Sequence, residues 1–137
     1  MTISMIRGFD GTVQQGASNT DLVAIESWEA DVDLEVETKG PFLNDSGNKY
    51  KVRGGKDCKF TIKGTVPSGK DTNQTALRDA LLNGTDINVI MKQGAGSTGY
   101  GITVPTAIIT NVKLGQDSKS GASIEIKGEA NGSFSIS

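Results

Sequence analysis

The chain has 137 residues, a formal net charge of −2 and one cysteine. That length suits one domain and is short for two. A lone cysteine excludes an intramolecular disulfide framework, and the small net charge points to neither general nucleic-acid binding nor a membrane-surface role. No apolar run approaches the ~18 residues of a membrane span, and the opening "MTISMIRGFDG" has no signal-peptide core. The expectation is a single domain over 1–137, made in a reducing cytoplasm.

The core is thin. Val, Ile, Leu and Phe supply 32 of the 137 residues, about 23% and just above the ~20% typical of disordered chains. Glycine is abundant at 18 residues. A domain with so little apolar side chain is marginal as a monomer, so burial against partner subunits is expected.

Residues 1–20 are polar and glycine-rich with scattered apolar positions, and read as a flexible arm. From Trp28 the chain alternates. Trp28, Ala30, Val32, Leu34 and Val36 share one face, and Glu29, Asp31, Asp33, Glu35 and Glu37 the other, which is the period of a half-buried strand. Val23 and Ile25 are in the opposite register, which a bulge near Glu26 and Ser27 would reconcile. "TKGPFLNDSGNKYKVRGGK", residues 38–56, carries the Gly, Pro, Asn and Asp of a long loop. Its Phe42, Leu43, Tyr50 and Val52 favour docking over free solvation.

A second strand places Cys58, Phe60, Ile62 and Val66 on one face and Lys59, Thr61 and Lys63 on the other. A helix is predicted over 72–83. Asp71 is its N-cap with Gln74 as capping-box partner, Ala76, Leu77, Ala80 and Leu81 form its apolar stripe, and Gly84 stops it. Leu82 falls outside the stripe. Three further strands are expected. Ile87, Val89 and Met91 alternate. Ile102, Val104, Ile108, Val112 and Leu114 share a parity, with Pro105 at an edge or bulge. Ile124, Ile126, Ala130, Phe134 and Ile136 form the last apolar face.

Catalytic chemistry is hard to assemble from these residues. There is no histidine, which removes the commonest general base and transition-metal ligand. One cysteine cannot build a thiolate zinc site, and Cys58 reads as buried filler. "GAGSTG", Gly94 to Gly99, matches a dinucleotide fingerprint in letters only. The helix that must follow it is replaced by "YGITVPT", so it reads as a hairpin loop. No cofactor, metal or enzymatic activity is expected.

The five carboxylates of Glu29, Asp31, Asp33, Glu35 and Glu37 are the sharpest feature. They suit a solvated strand face paired with Lys59 and Lys63, or a surface kept negative so that it repels phosphates. A calcium site is the weakest reading, because such ligands usually come from a folded-back loop. Charge is also segregated. Residues 1–37 carry net −7, residues 38–70 net +6 and the remainder net −1. The basic block includes Lys39, Lys49, Lys51, Arg53 and Lys56. An acidic face and a basic loop on one molecule suit head-to-tail stacking of identical copies, and could equally cancel within one copy.

The order of these parts resembles the bacteriophage tail tube protein family, which is related to the inner tubes of contractile injection systems. "VAIESWEADVDLEVET" is similar to that family's first long strand. "GPFLNDSGNKYKVRGGKDCKFTIKGTV" is similar to its long loop and returning strand, "TALRDALLNGTDINVIMK" to its helix and next strand, and "ITVPTAIITNVKLGQDSKSGASIEIKGEANGSFSI" to its closing pair. The resemblance implies a mainly β fold, a sandwich or barrel flanked by one helix. It implies a structural virion protein without catalysis, assembled in the host bacterial cytoplasm, whose hexameric rings stack into the phage tail tube.

The resemblance also implies partners and roles. Glu29, Asp31, Asp33, Glu35 and Glu37 would line the lumen, through which DNA passes without specific binding. Lys59 and Lys63 would dilute that field if the two strands pair in simple register. Lys39, Phe42, Leu43, Lys49, Tyr50, Lys51 and Arg53 would contact the next ring, and the N-terminal arm would bridge subunits. A tape-measure protein, a tail terminator and, in a contractile tail, a sheath would be the partners, with no membrane. The alternative is a monomeric β-sandwich that binds a ligand or decorates a capsid.

Overall fold

The computed structural model describes residues 4–5, 11–41, 43, 46–94 and 99–137. Their strands are β1 (Thr12–Gln15), β2 (Thr20–Asp21), β3 (Ile25–Lys39), β4 (Tyr50–Thr65), β5 (Ile87–Lys92), β6 (Gly101–Asp117), β7 (Gly121–Ala130) and β8 (Ser135–Ile136), with one helix, α1 (Thr72–Asn83). All strands join one antiparallel sheet in the order β2-β1-β5-β6-β7-β4-β3, with β8 added beside β6. The expected mainly β fold, a sandwich or barrel flanked by one helix, takes the form of one curled sheet, a half-barrel with a helix against its inner side.

β6 makes the curl possible. Its first part, Gly101 to Ala107, pairs with β5, and its second, Ala107 to Asp117, pairs with β7. The sheet thus divides into two wings that share β6. Val13, Val89, Met91 and Val104 from one wing meet Phe60, Ile62, Ile109, Ile124 and Ile126 from the other, with Leu77 and Ala80 of α1 in the same core. Fully burying one such aliphatic side chain contributes roughly 1.5–3 kcal/mol, which lets a short list of residues hold the fold.

α1 begins and ends where local chemistry dictates. Asp71 is extended, and its carboxylate accepts from the Asn73 amide at 3.2 Å. Gly84 adopts φ 65°, a left-handed conformation that glycine enters without a Cβ penalty, and the Thr85 amide then donates to the Ala80 carbonyl. The capping box does not form. The Gln74 amide is buried and donates to the Val23 and Thr65 carbonyls instead. Asp71 also accepts from the Val23 amide. The helix start therefore pins the entry to β3. Leu82 stays outside the core, 71% exposed.

Four expectations change. The arm predicted over 1–20 already joins the sheet at Thr12, because Val13 is a core residue and β1 pairs with β5. The loop predicted over 38–56 is mostly strand: β3 runs to Lys39 and β4 starts at Tyr50, which makes a long hairpin. Gly54 and Gly55 belong to a bulge between the Leu34/Lys56 and Val36/Arg53 pairs, and a Cβ on Gly54 would sit 3.1 Å from that of Glu35. Ile108 leaves the apolar face. One irregularity beside Pro105 turns Ala107 and Ile109 inward, and a second after Ile109 returns Val112 and Leu114 to the inner face. The last apolar run breaks after Ala130 into β7 and β8.

The bulge and the β5–β6 hairpin are as expected. The bulge near Glu26 appears as a register shift between Ile25 and Ser27. Gln93 and Tyr100 close the β5–β6 hairpin through a backbone bond; residues 95–98 of the glycine-rich stretch lie outside the described residues. No helix is long and apolar enough to cross a membrane among the described residues.

Candidate functional site

The five carboxylates share the outer face of β3, away from the helix, and all five are exposed. Registers carry that face across four strands. Asp31, Lys59, Glu129 and Ile108 fall in one row; Glu29, Thr61, Lys127 and Asn111 in the next; Ser27, Lys63, Glu125 and Lys113 in a third. Residues directly opposite on antiparallel strands point to the same face. Over the body of the sheet, Glu29, Asp31, Glu125 and Glu129 are thus interleaved with Lys59, Lys63, Lys113 and Lys127. The acidic stripe is one column of a charge checkerboard, and Lys59 and Lys63 dilute it as expected from simple register.

The balance fails towards the hairpin. There Asp33 faces Asp57, and Glu35 and Glu37 follow with Lys39 as the near cation. Ion pairs on this face run along single strands: Lys59 to Asp57 at 4.0 Å, Lys127 to Glu125 at 3.9 Å and Lys39 to Glu37 at 2.7 Å. Such exposed pairs are weak, and salt screens them. Among the described residues no group of three or more His, Cys, Asp or Glu side chains is placed to hold a metal ion.

The hairpin has a second, different face. Leu34 lies across from Lys56, Val36 from Arg53 and Thr38 from Lys51, whose ammonium donates to the Thr38 hydroxyl at 2.8 Å. This side continues the core-facing side of β3 past the end of the core. Val32, Leu34 and Val36 are therefore 38%, 43% and 51% exposed. Apolar side chains and cations lie together on one surface. Tyr50 and Val52 stand on the acidic side, opposite Lys39 and Glu37. Leu43 at the tip is fully exposed and Lys49 is exposed beside it. Phe42 lies outside the described residues.

The sheet edges were not legible in the sequence. Among the described residues β3 is a terminal strand of fifteen residues, with β4 on one side only. From Ile108 to Asp117, β6 has β7 on one side and, among the described residues, no partner on the other, because β5 pairing ends at Ala107. The four-stranded wing β6-β7-β4-β3 is thus open at both ends. Leu114 at one edge is 69% exposed. Long unprotected edges are what soluble monomers usually avoid.

Cys58, opposite Val32, is fully buried. Burial pushes its thiol above the usual range, and the negative charges of Asp57 and Asp31 push the same way. It is unsuited to act as a nucleophile.

No family model matches the chain, and no curated protein matches it by sequence. Solved structures do match its fold. A chain in the virion of a native gene transfer agent (GTA) particle superimposes with a TM-score of 0.78 at 13% identity, covering 96% of this chain and 98% of that one. A chain in the tail of an empty GTA particle, refined helically with C6 symmetry, gives 0.76 at 15% identity over 96% and 98%. A chain of the anti-feeding prophage cap, which terminates a tube, gives 0.74 at 16% identity over 100% and 93%. The chain has the fold of these virion, tail and tube-cap chains along nearly its whole length, as the order of its parts implied.

Proposed function

We propose that this chain is a structural subunit of a tail tube, one domain over 1–137 that self-assembles into rings and does no catalysis. The observation that carries the reading is the pair of open edges on the wing β6-β7-β4-β3. The two edges differ, so joining them between copies is a heterologous contact, which closes into a ring when the rotation allows. The wing has an even number of strands that alternate in direction. β3 of one copy is therefore antiparallel to β6 of the next, as every internal pair is. Six copies per ring is the number that the C6 symmetry of the similar GTA tail supports.

Closure also assigns the faces. α1, β1, β2 and β5 lie on one side of the wing, so that side points outward. The uncovered side, with Glu29, Asp31, Asp33, Glu35 and Glu37, lines the channel. Its net negative charge, concentrated towards the hairpin, repels phosphate and lets DNA pass without sticking. The hairpin with Lys39, Phe42, Leu43, Lys49, Tyr50, Lys51 and Arg53 reaches the next ring. A tape-measure protein inside the channel and a terminator at its end are the expected partners, with a sheath in a contractile tail. The similar cap chain supports the terminator. The place of action is the virion tail, after assembly in the host bacterial cytoplasm.

Negative-stain electron microscopy of the purified chain over a concentration series, with light scattering on the same samples, tests the proposal. Rings or hollow tubes are expected as concentration rises. A monodisperse monomer throughout would favour the ligand-binding or capsid-decorating module.

A further inference from the structure

We infer that neighbouring copies join in one register, in which Asp31 of β3 faces Lys113 of the next copy and Ala30 faces Leu114 of the next copy. The inference rests on the ring reading and specifies its joint.

Stagger gives the first constraint. The row Ser27–Lys63–Glu125–Lys113 runs straight across the wing. A joint without stagger would place Ser27 opposite Lys113 of the next copy, and Asp117 beyond the start of β3 at Ile25. Closed barrels are not built that way, because their strands tilt by about 35–45°. One residue of stagger per strand gives roughly 36°, as in an eight-stranded barrel of shear eight. Four strands per copy then call for about four residues of stagger. Four residues towards the hairpin move the partner of Lys113 from Ser27 to Asp31. The free β6 edge then falls wholly within β3.

Charge gives the second constraint. In this register Lys113 meets the Asp31 carboxylate, and Asp117 meets Ser27. A stagger of six residues sets Asp117 against Glu29, and one of eight sets it against Asp31. Like charges directly opposite are destabilising. A stagger of two carries Asp117 to Ile25, across the bulge at Glu26, where the regular pairing of β3 with β4 is broken. Odd staggers turn Lys113 to the apolar side, because the side-chain period is two.

Side-chain size agrees. Leu114, 69% exposed in the single copy, packs over Ala30, a small residue flanked by Trp28 and Val32. Val112 meets Val32, 38% exposed. The same contact covers apolar surface left open at both edges, and it accounts for an alanine in a stripe of larger residues.

Paired cysteines read the register. Directly opposite residues have Cβ atoms ~4.5–5.5 Å apart and diagonal neighbours ~7–8 Å, and disulfides need short separations. Within one copy the two edges are three strand spacings apart, about 14 Å, so any bond between them is intermolecular. The double variant Asp31→Cys with Lys113→Cys is compared, after mild oxidation, with Glu29→Cys or Asp33→Cys carrying the same Lys113→Cys change. Native Cys58 stays in place, buried. The expected result is a ladder of covalent oligomers from the Asp31 pair, ending at the ring number, and little from the others. Rings by microscopy without a ladder from that pair, or a stronger ladder from either other pair, overturn the register and leave the ring reading standing. An unsubstituted chain that stays monomeric at every concentration overturns the ring reading and the joint with it.

Discussion

Asp33 of β3 lies directly across from Asp57 of β4, two carboxylates on one exposed face with a cation, Lys59, reaching only Asp57 at 4.0 Å. The pair costs the isolated subunit some stability, since like charges opposite one another are unfavourable by a few tenths of a kcal/mol or more. Asp57→Asn is expected to raise the melting temperature slightly, by roughly 2 °C at low salt, with the gain shrinking as salt screens the repulsion. An equal melting temperature for both proteins at low salt would mean that the two carboxylates do not oppose folding.

Two carboxylates of this face test the channel reading apart from folding. Glu37→Lys with Asp57→Lys reverses the charge at two positions of this face, and neither lies among the β3 residues that face the next copy in the proposed register. Rings are expected to form normally. Tails built from this variant are expected to eject DNA poorly, because phosphates now stick to the channel. Normal ejection and infectivity would place these residues outside the channel.

Gln74 is a buried amide that ties α1 to two separate carbonyls, those of Val23 and Thr65. Gln74→Ala leaves both without this donor in a site that excludes water. A loss of about 1–3 kcal/mol is expected. Gln74→Glu should be no better, because a carboxylate offers no donor to a carbonyl. Chemical denaturation of the three proteins measures the effect. Equal midpoints would mean that water replaces the side chain.

These results show which parts of the molecule were legible in the sequence. α1 was, cap to cap, because Asp71, the Leu77–Ala80 stripe and Gly84 act within a few residues of themselves. The alternation in β3 was equally plain. The hairpin was not. Gly54 and Gly55 imitate loop residues, while their role is to let β4 bulge beside Glu35. The inward turn of Ile109 in place of Ile108 depends on two irregularities in β6 that no periodicity announces. Gln74 looked like a capping partner because its spacing from Asp71 is right, yet two distant carbonyls compete for its amide. Apart from the share of Lys59 and Lys63, which simple register foretold, the charge checkerboard and the two open edges were out of reach for a simpler reason. They exist only once registers bring β3, β4, β7 and β6 side by side.

Cys58 supplies a pH dependence. Burial, then the charges of Asp57 and Asp31, raise its thiol above its ordinary 9.0 in the folded chain. Below pH 9 the thiol is protonated whether folded or not, and its contribution to stability is fully present. As pH rises past 9, the unfolded chain releases the proton while the folded chain retains it, so stability falls until the folded thiol also ionises. Cys58→Ala is expected to flatten this part of the stability–pH curve, at some cost in packing. The native thiol should react with a thiol reagent at pH 8 only on unfolding. Rapid labelling of the folded protein would show that the site opens locally.

The hairpin can be shortened without disturbing the rest of the sheet. Val36 and Arg53 are opposite one another, so residues 37–52 can be replaced by Asn-Gly, a two-residue turn that suits antiparallel strands. The core lies beyond this point, and the Asp31–Lys113 joint uses β3 residues before it. The shortened chain is expected to fold and to form rings. It loses Lys51, Tyr50 and the tip, and with them the surface proposed to meet the next ring, so tubes should be absent or very short under the electron microscope. Long tubes from this variant would remove the hairpin from ring stacking. A folded chain that forms no rings would instead assign the hairpin to the joint between neighbours within a ring.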